Sequence, residues 1–183
     1  NSSSVMINNK ICTIFDDIFK DNITKKNYLI YYKFIYDITC NDNTYDIELI
    51  KNSILINYQK LCIKYCEQLN NCTNNNFLNE YYYLYNKTLQ HNETFNKIFS
   101  YFLKVSKDIN PSNLLKNNWG VFIVKPNLNK ISDLYLQYLN LNDINEIGKI
   151  TNNFKNNLDV FYYTILNEIY IKYTKLEIKK LIG

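Results

Sequence analysis

The residues of this chain that could do chemistry are few. The cysteines are Cys12, Cys40, Cys62, Cys66 and Cys72, and the only histidine is His91. Cys62 and Cys66 stand four apart on one helix face, and with Cys72 they could hold a metal. Their spacing is not C-x-x-C and His91 is distant in sequence, so the better reading is small core residues, with no metal. An odd thiol count leaves at least one cysteine unpaired, which favours a reducing compartment and no disulfides. A single histidine removes most general-base and triad schemes. No Gly-rich phosphate loop, H-E-x-x-H or G-x-S-x-G is present. The carboxylates Asp16 and Asp17, or Asp46 and Glu48, fall on polar helix faces or near a helix start, where solvation and the helix dipole account for them. The chain therefore reads as non-catalytic, with no cofactor.

What remains distinctive is aromatic. From Asn27 to Thr39 the chain reads Asn-Tyr-Leu-Ile-Tyr-Tyr-Lys-Phe-Ile-Tyr-Asp-Ile-Thr. At about 100° per residue, Ile30, Tyr31, Phe34, Ile35 and Ile38 gather on one side as the expected core stripe. Lys33 and Asp37 mark a narrow wet strip. A second stripe holds Tyr28, Leu29, Tyr32 and Tyr36. A surface helix needs only one apolar face, so the second stripe means either a helix buried all round or a partner. Tyrosine suits a partner surface, since its ring is apolar and its hydroxyl is satisfied by water when the partner is absent.

The elements that must carry these residues are helices. The chain has 183 residues, 46% of them hydrophobic and 16% aromatic, with 18 Tyr, 10 Phe, 3 Gly and 2 Pro. That is enough for a core, in one domain or one and a half. It has no Ala and no Arg, while Asn, Lys, Ile and Tyr dominate, a bias of AT-rich codons. The net charge is +4 from scattered lysines. Without Arg for bidentate contacts, nucleic-acid binding is not expected. No run of about 18 apolar residues exists, so no membrane span is expected. Asn-x-Ser/Thr sequons at Asn1, Asn22, Asn71, Asn86 and Asn92 are expected by chance in so Asn-rich a chain.

Apolar residues recur at spacings of three and four almost throughout. The first helix carries Ile7, Ile11, Ile14, Phe15, Ile18 and Phe19 and stops at Asp21-Asn22. Thr24 caps the second. Asn41-Asp42-Asn43 is a loop and Thr44 a further cap. A long helix follows with Leu49, Ile50, Ile54, Leu55, Tyr58, Leu61, Cys62, Tyr65 and Leu69 on its core face. Asn74-Asn75-Asn76 is expected as a loop before a fourth helix with Leu78, Tyr81, Leu84, Tyr85 and Leu89. A break near His91-Asn92 opens a fifth, with Phe95, Ile98, Phe99, Phe102 and Val105 inward and Tyr101 at the margin. Another helix starts at Pro111 and ends by Pro126. A short one carries Leu134, Leu136, Tyr138 and Leu139, and a long last one Phe161, Ile165, Leu166, Ile169, Tyr170, Tyr173 and Leu176. Nothing reads as a convincing strand; Val121 to Val124 is the best candidate, but it is short and sits inside a helical context. The fold class is all-α, a stacked helical bundle.

The order of these pieces resembles the N-terminal domain of the cullin family. Tyr28 to Tyr36 is similar to its second helix, with Tyr31 where Leu is usual. Phe77 to Tyr85 and Phe95 to Lys104 resemble its fourth and fifth helices, with Tyr85 for Trp and Lys104 for Arg. Trp119 and Pro126 have the spacing of its W/F-R-D-x-x-x-x-P segment, although Gly120-Val121 replaces Arg-Asp. The helix from Phe161 is similar to a later motif, with Glu177 one position late. Only Glu146-Ile147-Gly148 hints at the family's E-R-x-G loop.

The resemblance implies a cullin-repeat-like stack, with residues 1–108 as a first five-helix repeat and 109–183 as the shortened start of a second. It implies a scaffold of a cullin-RING ubiquitin ligase in the ubiquitin-like conjugation pathway, cytoplasmic and nuclear. The partner would be a substrate adaptor with a BTB-like fold, either an F-box adaptor subunit or a BTB protein. The RING subunit would be reached only through a C-terminal domain that is not in this chain. Carried over by position, the partner-binding residues are Tyr28, Leu29, Tyr32 and Tyr36 from the second helix and Ser100, Tyr101 and Lys104 from the fifth. The alternative is an exported or surface helical interaction protein of an AT-rich parasite.

Overall fold

In a computed structural model of the chain, residues 2–40 and 44–138 are described. They form α1 (Ser2–Phe19), α2 (Lys25–Cys40), α3 (Thr44–Asn70), α4 (Asn74–Ile98), α5 (Ser100–Val105), α6 (Pro111–Trp119) and α7 (Leu128–Tyr138), and no strand occurs among the described residues. The all-α class read from spacing is what is found. The loop expected at Asn41-Asp42-Asn43 and the helix expected from Phe161 lie outside the described residues. By their mutual contacts the described residues group into two units. One comprises the described residues up to 61 together with Tyr81–Leu115, and the other Cys62–Glu80 with residues 116–138.

In the first unit, one face of α1 is fully inward, with Ile11, Ile14, Phe15 and Ile18 at 2% exposure or less. Phe15 meets Tyr58 edge-on at 5.1 Å and Phe95 at 6.1 Å. Phe95 stacks on Phe99 at 4.2 Å. Two tyrosine hydroxyls of this unit bridge its helices. The Tyr58 hydroxyl donates to the side-chain carbonyl of Asn92, and the Tyr31 hydroxyl of α2 donates to Asp17 of α1. Lys51 pairs with Asp108 at the surface, and Asp21 receives both Lys87 and His91 at 3.3 Å. In the second unit the buried Trp119 indole lies edge-on to Tyr65, centroids 6.3 Å apart. The Lys130 ammonium sits 4.4 Å above the Phe77 ring.

Four local expectations are corrected. The break near His91-Asn92 does not exist, because α4 runs unbroken to Ile98. Both residues are buried and engaged, Asn92 by Tyr58 and His91 by Asp21 and the Phe19 ring. The interruption falls instead at Phe99, whose φ of −93° and ψ of 11° depart from helix. Asn74-Asn75-Asn76 is the exposed first turn of α4, not a loop. Pro126 does not end the helical path. After Trp119 the backbone loosens into a π-helical turn, Gly120–Val124, and then tightens into a 3-10 turn, Lys125–Asn127. That change of hydrogen-bond register accommodates a residue with no N–H. The Asn127 side chain donates to the Ile123 carbonyl at 2.7 Å within the same stretch. Finally, Leu55 and Val105 are exposed, at 36% and 49%, while Ser53 and Asn57 turn inward. The Asn57 amide donates to the Ser53 carbonyl at 2.7 Å, so the polar side chain is buried with its bond made.

Candidate functional site

The start of α2 is set by local chemistry. Thr24 caps the helix as expected: its hydroxyl accepts the Asn27 N–H at 3.2 Å, and the Asn27 side-chain oxygen accepts the Thr24 N–H at 2.6 Å. This is a capping box with Asn in the place of Glu. The Asn27 amide also donates to the Asn22 carbonyl at 2.8 Å. Asp21 closes the preceding turn with φ of 63°, a left-handed conformation that Asp tolerates better than most residues. Ile23 precedes the cap and Tyr28 is the fourth helical residue, the two positions of a hydrophobic staple. Ile23, Thr24, Lys25, Tyr28 and Leu29 line one open hollow of about 410 Å³ whose walls are mostly apolar.

Beyond the hollow, α2 packs beside α5. Its inward line is Tyr31, Ile35 and Thr39, with Phe34 and Ile38 half-buried and Ile30 49% exposed. The core stripe is thus narrower than the one expected and turned toward Thr39, whose hydroxyl donates to the Ile35 carbonyl at 2.6 Å. A β-branched hydroxyl that bonds its own helix can be buried, and a reading of apolar types alone passes over it.

The expected partner-binding residues fall as follows. Leu29 is 66% exposed and Tyr36 40% exposed. Tyr28, Tyr32 and Tyr101 are half-buried, and Ser100 and Lys104 are exposed. The rings of Tyr32 and Tyr36 lie one turn apart, centroids 6.4 Å apart and nearly parallel at 22°. Tyr36 reaches across to Tyr101 of α5 at 4.6 Å. A continuous aromatic path therefore joins the two helices at the surface, and the hollow opens at the other end of α2. Ile23, Thr24 and Lys25 belong to this surface and were not foreseen. Their signal is the capping box and staple, which place Ile23 beside the first helical turn. The hydrogen bond with Cys40, followed by the neighbouring Tyr101, holds the Tyr36 hydroxyl above the ordinary tyrosine range. Tyr36 thus presents a neutral hydroxyl at neutral pH.

The other chemistry-bearing residues do not converge. Among the described residues, no group of three or more His, Cys, Asp or Glu side chains lies in a metal-binding arrangement. Burial pushes the Cys62 thiol up to about 12, which removes its nucleophilic form at neutral pH. Cys66 accepts the Asn127 amide at 3.6 Å, and Cys72 bonds the Gln68 carbonyl at 3.5 Å. These are local packing contacts. What the α2 and α5 surface can do is bind: it offers aromatic area, hydroxyls and an apolar hollow. No family model, curated protein or solved structure matches this chain.

Proposed function

We propose that this chain is a non-catalytic scaffold module of the cullin-RING ubiquitin ligase kind. Its α2 and α5 would receive a substrate adaptor of BTB-like fold, an F-box adaptor subunit or a BTB protein. The observation that supports this reading is the surface path Tyr32–Tyr36–Tyr101 between α2 and α5, at the helices where the family resemblance calls for a docking site. Aromatic side chains dominate interface energetics because they bury much area at small entropic cost. Such a module works in the cytoplasm and nucleus, and among the described residues no helix is long and apolar enough to cross a membrane. The test is calorimetric titration of the purified chain with the F-box adaptor subunit and with BTB proteins of the same cell. A saturable one-to-one complex with one of them, lost on removal of Tyr28 and Tyr32, is the expected result. Absence of binding to every adaptor contradicts it.

A further inference from the structure

We infer that the partner of the α2 and α5 surface presents an acidic face around an apolar centre. This rests on the docking role proposed above and adds the chemistry of the partner. The aromatic path runs between lysines. Lys25, Lys26 and Lys33 are exposed on α2, and Lys97 and Lys104 are exposed before and after Tyr101. Lys25 also lines the hollow beside Tyr28 and Leu29. Among the described residues, none of these five ammonium groups has a carboxylate partner. Elsewhere among the described residues of the same unit, the six lysines (Lys10, Lys20, Lys51, Lys60, Lys87 and Lys107) are matched in number by six carboxylates (Asp16, Asp17, Asp21, Asp46, Glu48 and Asp108), with Lys51–Asp108 and Lys87–Asp21 as direct ion pairs. The acidic groups beside the path are Asp37 on α2 and Glu93, one turn before Lys97, and neither is paired with these lysines. The charge imbalance is therefore local to the apolar surface and is not a property of the whole unit.

Unpaired cations flanking an apolar strip select an occupant that is apolar in the middle and anionic at the rim, because like charges set against one another are costly. A second copy of this chain fits poorly, since it would bring the same lysines to the same rim. A polypeptide with carboxylates around one or more aliphatic side chains fits both features. Its apolar side chains would cover Leu29 and the hollow, and its carboxylates would reach Lys25, Lys33 and Lys104.

The test uses the full chain and labelled short peptides that alternate Glu with Leu, Glu with Ser, or Lys with Leu. The Glu-Leu peptide is expected to bind about tenfold or more tighter than either control, and the preference over Lys-Leu should shrink between about 50 and about 300 mM NaCl as the rim charges are screened. Lys33→Glu with Lys104→Glu should remove that preference without shifting the melting temperature. Equal binding of the Glu-Leu and Lys-Leu peptides overturns the inference. So does tighter binding to phosphatidylserine–phosphatidylcholine vesicles, or a dimer in sedimentation that the Leu29→Glu variant dissolves. Adaptor titrations with the same variants separate this inference from the reading beneath it. If the lysine reversals leave adaptor binding intact while Tyr28→Ala with Tyr32→Ala abolishes it, docking stands and the acidic partner falls.

Discussion

Tyr36 of α2 and Tyr101 of α5 lie with ring centroids 4.6 Å apart and planes inclined at 47°. Neither is fully buried. Such a pair contributes about 0.5–1.5 kcal/mol beyond the area it covers. A double-mutant cycle with Tyr36→Ala and Tyr101→Ala should return a coupling of that size. Coupling near zero would mean that the rings are neighbours without consequence.

The entry to α2 is predicted to depend on its cap. Thr24→Ala removes the oxygen that accepts the Asn27 N–H and should cost about 1 kcal/mol, with Thr24→Ser largely restoring it. The check is urea unfolding of the three proteins, where the midpoint should move and the slope should not. Because Thr24 also lines the hollow, partner binding should weaken in step.

Ile35 and Phe34 give a sharper contrast than their types imply. Ile35 is fully buried, whereas Phe34 is half-buried near the Lys10 ammonium, 6.0 Å away. Ile35→Ala should therefore cost about 2–5 kcal/mol, the range for a large-to-small core change. Phe34→Ala should cost clearly less despite the larger side chain. A reversed order in denaturant melts would show that α2 is rotated from the orientation described.

Alkaline pH should destabilise the fold from about pH 9 upward. Burial raises the Cys62 thiol to about 12 from 9.0, and the hydrogen bond to Asp17, with burial, raises the Tyr31 hydroxyl to about 12 from 10.0. Both groups are neutral when protonated. Above their ordinary values the unfolded chain releases these protons while the native chain keeps them, so stability falls as pH rises, up to about 12. Cys62→Ala should flatten the onset of that fall. An unchanged pH profile in this variant would contradict the assignment.

The helical class and most inward faces were legible because α1 and the aromatic run Phe95 to Phe102 keep strict spacing. The misreadings share a cause. His91, Asn92, Asn57 and Thr39 are polar types that a type-based reading places outside, yet each is buried with a partner from its own helix or a neighbouring element. Pro126 misleads for a related reason, since a proline ends a regular α-helix but not a stretch already re-registered through π and 3-10 turns. At the surface, the spacing of Tyr28, Tyr32 and Tyr36 located the stripe on α2. The meeting of Tyr36 with Tyr101 depends on how α2 packs on α5, which no local pattern encodes. The hollow was missed because its walls come partly from the turn before the helix.

The central claim is that α2 and α5 dock an adaptor through the tyrosine surface, and titration of Tyr28→Ala with Tyr32→Ala against the F-box adaptor subunit and BTB proteins tests it most directly. Central aromatic anchors cost about 2 kcal/mol or more each when truncated, so the pair should weaken binding roughly a thousandfold if their effects add. Leu29→Glu, at a position 66% exposed, should weaken it as well without lowering the melting temperature. Normal binding by both variants, each melting like the parent protein, would contradict the account.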